Sequence, residues 1–358
     1  MRLSPWGRQR GVALITVMMI VAIATAVSTL MMVRQQRAIA RTASLMDSEQ
    51  AWQYDLAAES FAMEVLAQDA RNDASSGRGA VDSNFEIWAR QWPPFPVDGG
   101  SVQGRIEDEQ GLFNLNDLLG TDGQPNKLFL AAFQQLLMQN QIPVALSQAV
   151  IDWLDADNQP SGPMGAESDW YMRMPTPYRA ANRDMASVSE LRLIRGMTEV
   201  YYERLKPWVT VLPRGTLINV NTAKPQVLMA LIPGISLVQA NALIAAGAPN
   251  GYERPDSFLA EPFFASMQQA QLDTLGGMIT TNSSYFRVTC QAEIDGKVSW
   301  MRSLIRRQSS TDLSVFYRER ILPQTQDLAS DPASGHNDGS GLGTPFNANI
   351  FTTDNHNP

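Results

Sequence analysis

The chain has 358 residues, 44% of them apolar, with 36 acidic against 28 basic side chains and a net charge of -8. That length and apolar content are enough for one large or two modest cores, and the negative balance disfavours nucleic acid or an anionic membrane surface as a partner of the whole chain. A single cysteine, Cys290, excludes an internal disulfide framework and a thiolate metal cluster, and reads as a small buried apolar residue.

From the amino terminus, MRLSPWGRQR leads into GVALITVMMIVAIATAVSTLMMVRQQR. Residues 12–33 carry no charge. Such a run spans a hydrocarbon core of about 30 Å, and exceeds the apolar region of a cleaved secretory signal. Arg2, Arg8 and Arg10 favour a cytoplasmic amino terminus, although Arg34, Arg37 and Arg41 behind the span weaken the asymmetry. No Gly or Pro occurs between Gly11 and Gly77, so one helix is expected to leave the membrane unbroken. Leu45, Trp52, Leu56, Met63 and Leu66 fall on one helical stripe, expected in its distal half to pack on the chain's own domain.

Loops follow at ASSGRGAVDS and WPPFPVDGG, and residues 101–117 (SVQGRIEDEQGLFNLND) read as a strand. Periodicity is mainly helical from about 118 to 278. Then Phe286, Val288, Cys290, Ala292 and Ile294 alternate, the Asp295-Gly296 turn begins a second strand, and LSVFYRERIL supplies a further one. A sheet begun before a helical block and completed after it implies an inserted domain. The Gly- and Asn-rich end, 323–358, is expected to be disordered and holds both histidines, His336 and His356. Histidine-based nucleophile systems and histidine-ligated zinc are thereby removed from the folded part.

Within the helical block, FNLNDLL and LINVNTAK both place Asn-x-Asn before a helix, and IPVALSQAVIDW resembles IPGISLVQANALIAA. These look like helix-hairpin-helix, or SAM-like, units, which elsewhere grip DNA phosphates. Here Lys224 is the one ionisable side chain in 215–249, and Pro233-Gly234-Ile235-Ser236 lacks a second glycine and following basic residues. The units are therefore read as packing modules, with a membrane-anchored DNA receptor as the alternative.

The densest polar chemistry is IDWLDADNQPSGPMGAESDWYMRMPTPYRAANRD. Asp155, Asp157 and Gln159 alternate after a helix, and Glu167 and Asp169 follow a Gly/Pro turn, with Asn158 and Asn182 nearby. Hard oxygen donors in this density suit Ca²⁺. It is not an EF-hand, because Pro160 stands at the glycine position and Glu167 arrives one residue late. Three readings stay open: a calcium site, a solvated acidic loop with helix caps such as Ser187 or Ser189, and a paired-carboxylate hydrolase.

A short basic leader with Gly11 followed by VALITVMMIV resembles the leader of type IV pilin-like proteins. Thr16 stands where most pilins carry a glutamate. With the inserted helical domain, PTPYRAANRDMASVSELRLIRGM and INVNTA, the chain resembles the K family of type II secretion minor pseudopilins over about residues 1–325. The resemblance implies an α+β fold in which a pilin-like helix lies on a small antiparallel sheet with a large all-α insertion. Its expected divisions are a leader (1–11), a transmembrane part (12–33), a periplasmic helix (34–75), the start of the pilin-like domain (76–117), the insertion (118–278), the completing sheet (279–322) and a tail (323–358). It further implies cleavage between Gly11 and Val12 by prepilin peptidase and a single-pass inner-membrane anchor with the bulk in the periplasm. The partners implied are two other minor pseudopilins and the inner-membrane secretion platform, in a structural role at a pseudopilus tip without catalysis. Calcium comes with the resemblance too, one or two ions, with Asp155, Asp157, Glu167 and Asp169 as preferred ligands and Gln159 through its carbonyl.

Overall fold

A computed structural model of the chain describes residues 10–77 and 79–321; the start of the leader and the tail with its two histidines lie outside the described residues. Arg10–Ser76 forms one helix, α1, of 67 residues, about 100 Å long at 1.5 Å per residue. It ends at Gly77, whose φ of +71° suits a residue without a Cβ. Side chains 13–43 are all exposed, Leu14, Ile15, Met18 and Met31 among them. Among the described residues α1 is the one helix long and apolar enough to cross a membrane.

The distal half of α1 packs on a sheet, with Leu66 of the expected stripe inside the contact and most of that stripe at its margin. Ala51, Asp55, Ala58, Glu59, Ala62, Leu66 and Ala67 are buried, whereas Trp52, Leu56 and Met63 only flank the contact and Leu45 is 66% exposed. Alanines let the helix backbone approach the sheet closely, and the larger side chains cover the margins. The expectation followed bulky residues, and alanines together with Leu66 made the contact.

Beyond α1, β1 (Phe95–Val97) and β2 (Gly100–Asp108) form a hairpin. The strand expected over 101–117 stops at Asp108, whose Oδ1 accepts the Gln110 N–H at 2.8 Å and turns the chain into a 3₁₀ turn. A helical insertion of two similar lobes follows. In the first, β3 (Phe113–Asn114) precedes α2 (Lys127–Gln139), α3 (Leu146–Leu154), α4 (Ser168–Tyr171) and α5 (Glu199–Leu205), and β4 (Val209–Thr210) returns parallel to β3. In the second, β5 (Ile218–Asn219) precedes α6 (Pro225–Leu231), α7 (Leu237–Ala246), α8 (Pro255–Leu259) and α9 (Gln269–Gly276), and β6 (Ile279–Thr280) returns parallel to β5.

Each lobe is tied by its Asn-x-Asn motif. Asn114 Oδ1 accepts the Leu212 N–H at 2.9 Å, and Asn116 Nδ2 donates to the Met185 and Leu212 carbonyls. Asn221 likewise accepts the Tyr252 N–H at 2.7 Å and donates to the Tyr252 and Thr281 carbonyls. Buried amides satisfied on both edges fix loop positions that short strands alone would not. Both lobes share one apolar core, with Phe133, Leu136, Tyr171, Val227 and Phe258 in it.

The chain then completes the sheet with β7 (Tyr285–Ile294), β8 (Lys297–Arg307) and β9 (Leu313–Arg320), in the order β1-β2-β7-β8-β9 with every neighbour antiparallel. Asp295 and Gly296 both take positive φ in the β7–β8 turn. Phe286, Val288, Cys290, Met301 and Ile305 meet Ala58, Ala62 and Leu66 of α1 in a second core. The insertion thus leaves and re-enters between adjacent strands, and the acidic loop lies in its first lobe.

Candidate metal centre

Helix α3 sets the site. Asp152 lies in its last turn and Asp155 caps its carboxyl end, three residues on and hence on the same side. The carboxyl end of a helix carries partial negative charge, so two carboxylates there repel the dipole as well as each other. The loop that follows folds back over them. Ser161 N–H donates to Asp152 Oδ1 at 2.8 Å, and a Cβ at Gly165 would stand 2.3 Å from Asp152 Oδ2 and 2.9 Å from the Ser161 nitrogen. Arg195 holds this turn by donating to the Gly165 carbonyl at 2.8 Å. Glu167, at the start of α4, then enters the same space.

Asp152, Asp155 and Glu167 are all buried, and each brings a carboxylate oxygen within 4.8 Å of the others. Asp152 Oδ2, Asp155 Oδ1 and both Glu167 oxygens are buried without a hydrogen-bond partner among the described residues, as is Asn182 Oδ1. Asn182 is held at φ +45° by its N–H to the Trp153 carbonyl and its Nδ2 to the Asp157 carbonyl, both 3.0 Å. Burial first, then the charges of Asp157 and Asp152, pushes Asp155 up to about 6. Burial, then Asp152, Asp155 and Asp157, pushes Glu167 up to about 7.

Orphaned buried oxygens on three converging carboxylates, with no described basic side chain paired to them, fit a hard divalent cation. A cavity of about 340 Å³ lined in part by Asn158, Glu167, Trp170 and Arg195 leads to the site from solvent.

Of the ligands expected from sequence, the structure brings Asp155 and Glu167 together. Asp157 is exposed at the rim, its Oδ1 accepting the Gln159 N–H at 2.7 Å. Gln159 is exposed, and Asp169 lies exposed in the first turn of α4. Asp152 was missed: it sits inside the helical run IDWLD, and its signal was the spacing of three to Asp155 at the helix end. Thr16 Oγ1 donates to the Ala13 carbonyl of its own helix at 2.8 Å. Lys224 donates to the Pro207 carbonyl at 3.1 Å and lies over the Trp208 ring, so it is turned onto the protein rather than presented to a phosphate.

The family described as "Type II secretion system (T2SS), protein K" matches residues 111–214 and again 218–276, one match per lobe of the insertion. The chain is 36% identical to type II secretion system protein K of Pseudomonas aeruginosa over 317 residues, 87% of this chain and 92% of that protein. It is 32% identical to the protein of the same name from Aeromonas hydrophila, over 87% of this chain and 97% of that one. Its fold is similar to a chain in the crystal structure of the GspK-GspI-GspJ complex from the enterotoxigenic Escherichia coli type 2 secretion system. The TM-score is 0.70 at 26% identity, over 79% of this chain and 100% of that one. On this likeness along most of its length, the chain belongs to the type II secretion system protein K family of pseudopilins.

Proposed function

We propose that this chain is a minor pseudopilin that caps the tip of a type II secretion pseudopilus and acts structurally in exporting folded proteins across the outer membrane. The observation that carries the reading is α1: one helix whose side chains 13–43 are all exposed, many of them apolar, carries a large head at its far end. An apolar surface of that length requires lipid or other helices to cover it. In this reading it is a membrane anchor first and a filament stem afterwards. Prepilin peptidase cuts between Gly11 and Val12, the inner membrane holds residues 12–33, and the head stands in the periplasm, where the secretion platform takes it up. The stem and its sheet form a pilin-like module, and the two lobes are helix-hairpin-helix packing units. The described complex of a related chain with GspI and GspJ supports two further minor pseudopilins as partners. Bulk explains the tip position, because the insertion obstructs stacking of another subunit above it. Thr16 fits as well: a subunit with no neighbour above has no amino terminus for a buried glutamate to pair with.

We further propose that Asp152, Asp155, Glu167 and the Asn182 carbonyl oxygen hold Ca²⁺. Bound there, the ion supplies the positive charge that the buried carboxylates lack and ties the 156–167 loop to α3.

Mass spectrometry of the membrane-extracted protein tests the first reading, with a mature chain beginning at Val12 expected. A chain beginning at Met1, or failure to co-purify with the two partner pseudopilins, contradicts it. Thr16→Glu is expected to impair tip assembly, and unchanged assembly and secretion would remove the meaning given to that position.

A further inference from the structure

A second buried acidic group lies where stem, sheet and insertion meet, around Arg307 of β8. Arg307 Nη1 donates to Asp69 Oδ2 at 2.9 Å and to the Leu66 carbonyl at 3.3 Å, both on α1. Its Nη2 donates to Asp82 and to the Ser283 carbonyl. The guanidinium also lies 4.6 Å from the centroid of the Phe286 ring. Asp82 is fully buried, and its other oxygen accepts the Ser283 N–H at 2.7 Å.

The chain of contacts continues into the insertion. Asp108, at the end of β2, accepts through Oδ2 from Ser283 Oγ at 2.6 Å, Thr222 Oγ1 at 2.5 Å and Asn219 Nδ2 at 3.1 Å. Asn219 Nδ2 also donates to the Asp82 carbonyl at 2.9 Å. One connected network therefore runs from the stem helix through Arg307, Asp82, Ser283 and Asp108 to the second lobe.

The charges around this network do not balance. Glu86 brings an oxygen within 4.8 Å of those of Asp69 and Asp82, while accepting from Ser83 N–H and Trp88 Nε1–H. Asp73 of α1 accepts the Val81 N–H. Among the described residues, α1 contributes Asp69 and Asp73, the following loop Asp82 and Glu86, and β2 Asp108, while β8 contributes Arg307 and the insertion and the turn before β7 only the uncharged Asn219, Thr222 and Ser283. Burial above all, then repulsion among these carboxyls, raises Asp69 and Asp108 to about 6 and Glu86 to about 8. Arg307 alone does not balance these carboxyls, and burial favours their protonated forms.

We propose that this cluster is a proton-closed joint between stem and head: with its surplus carboxyls protonated the network is intact, and as they ionise their repulsion loosens the insertion from the stem. The sign follows from linkage. Groups that bind protons more tightly in the closed joint than in the open one stabilise closure at low pH, and that stabilisation drains away as pH rises through the raised values.

Hydrogen–deuterium exchange of the full chain in detergent, at about pH 5.5 and about pH 8.5 with the chemical exchange rate corrected, tests this. Peptides covering 80–86, 106–112, 219–222 and 281–286 are expected to lose about tenfold more protection at the higher pH than peptides from α2 and α6. Glu86→Gln with Asp69→Asn is expected to flatten the difference. Should that pair fail to fold, Glu86→Gln alone keeps an acceptor for Ser83 and Trp88 and still lowers it. A flat wild-type profile, an undiminished slope in Glu86→Gln, or a profile that disappears on exchanging EDTA for calcium would each overturn the proposal, the last by putting a metal in place of the protons.

Discussion

The head and the stem each bury a group of carboxylates, and each neutralises them differently. In the stem, Asp69 and Asp82 grip Arg307, and Asp108 accepts hydrogen bonds from Ser283, Thr222 and Asn219. In the head, Asp152, Asp155 and Glu167 converge with buried oxygens that none of the described groups satisfies. The first cluster carries part of its counter-charge in Arg307, and the second, in the proposed reading, takes one from solution. A buried acid is thus informative only together with its partners: satisfied oxygens indicate a joint, and orphaned ones indicate a site.

Replacing Arg307 by Met should have the largest effect, because it strands Asp69 and Asp82 without a cation. The expected loss is about 3–5 kcal/mol near neutral pH, less in acid, read by denaturant unfolding. Calcium affinity of the head should be unchanged, and a parallel loss of affinity would mean that the clusters are coupled. Removing divalent metal with EDTA should come next, costing about 4 kcal/mol relative to an excess of calcium near a thousandfold over Kd. New proteolytic cuts are expected in 156–167 and none at the joint.

The two clusters should also differ in their response to acid. Asp155 and Glu167 are raised to about 6 and about 7 in the metal-free head, so that form loses stability as pH rises through those values. Calcium must displace those protons, so its affinity should increase over the same interval, by about tenfold per pH unit for each proton released. Calorimetry in two buffers of different ionisation heat would read the protons directly. Finally, Asp152→Asn should weaken calcium binding by about tenfold or more. Asp169→Asn, at an exposed position, should change stability by under about 0.5 kcal/mol and leave affinity alone.

Much of this was legible in the sequence wherever a local rule decided the outcome. The gap in Gly and Pro between Gly11 and Gly77 dictated α1, Asp295-Gly296 dictated the β7–β8 turn, and the repeated Asn-x-Asn marked the two lobes. Alternation placed Cys290 in the sheet core, where it is fully buried. What escaped was long-range. Nothing near Ala58 or Ala62 says that a sheet will approach them, and nothing near Arg307 says that Asp69 and Asp82 will surround it from more than two hundred residues away. The carboxylate cluster proposed as a metal centre was only partly visible in the sequence for the same reason. Asp155 and Glu167 stood out in a polar loop, whereas Asp152 is turned toward them by helix geometry from within an apolar run; Gln159 is exposed in the loop, and Asp169 is exposed in α4, where it lines the cavity.

Calcium titration of the EDTA-stripped full chain by calorimetry, with a thermal melt of the same samples, tests the central claim about the head most directly. Saturable binding that raises Tm in the wild type, and is lost in a Glu167→Gln variant that still folds, is the result expected from four orphaned carboxylate oxygens on three residues. No heat of binding and identical melts in EDTA and calcium would contradict it.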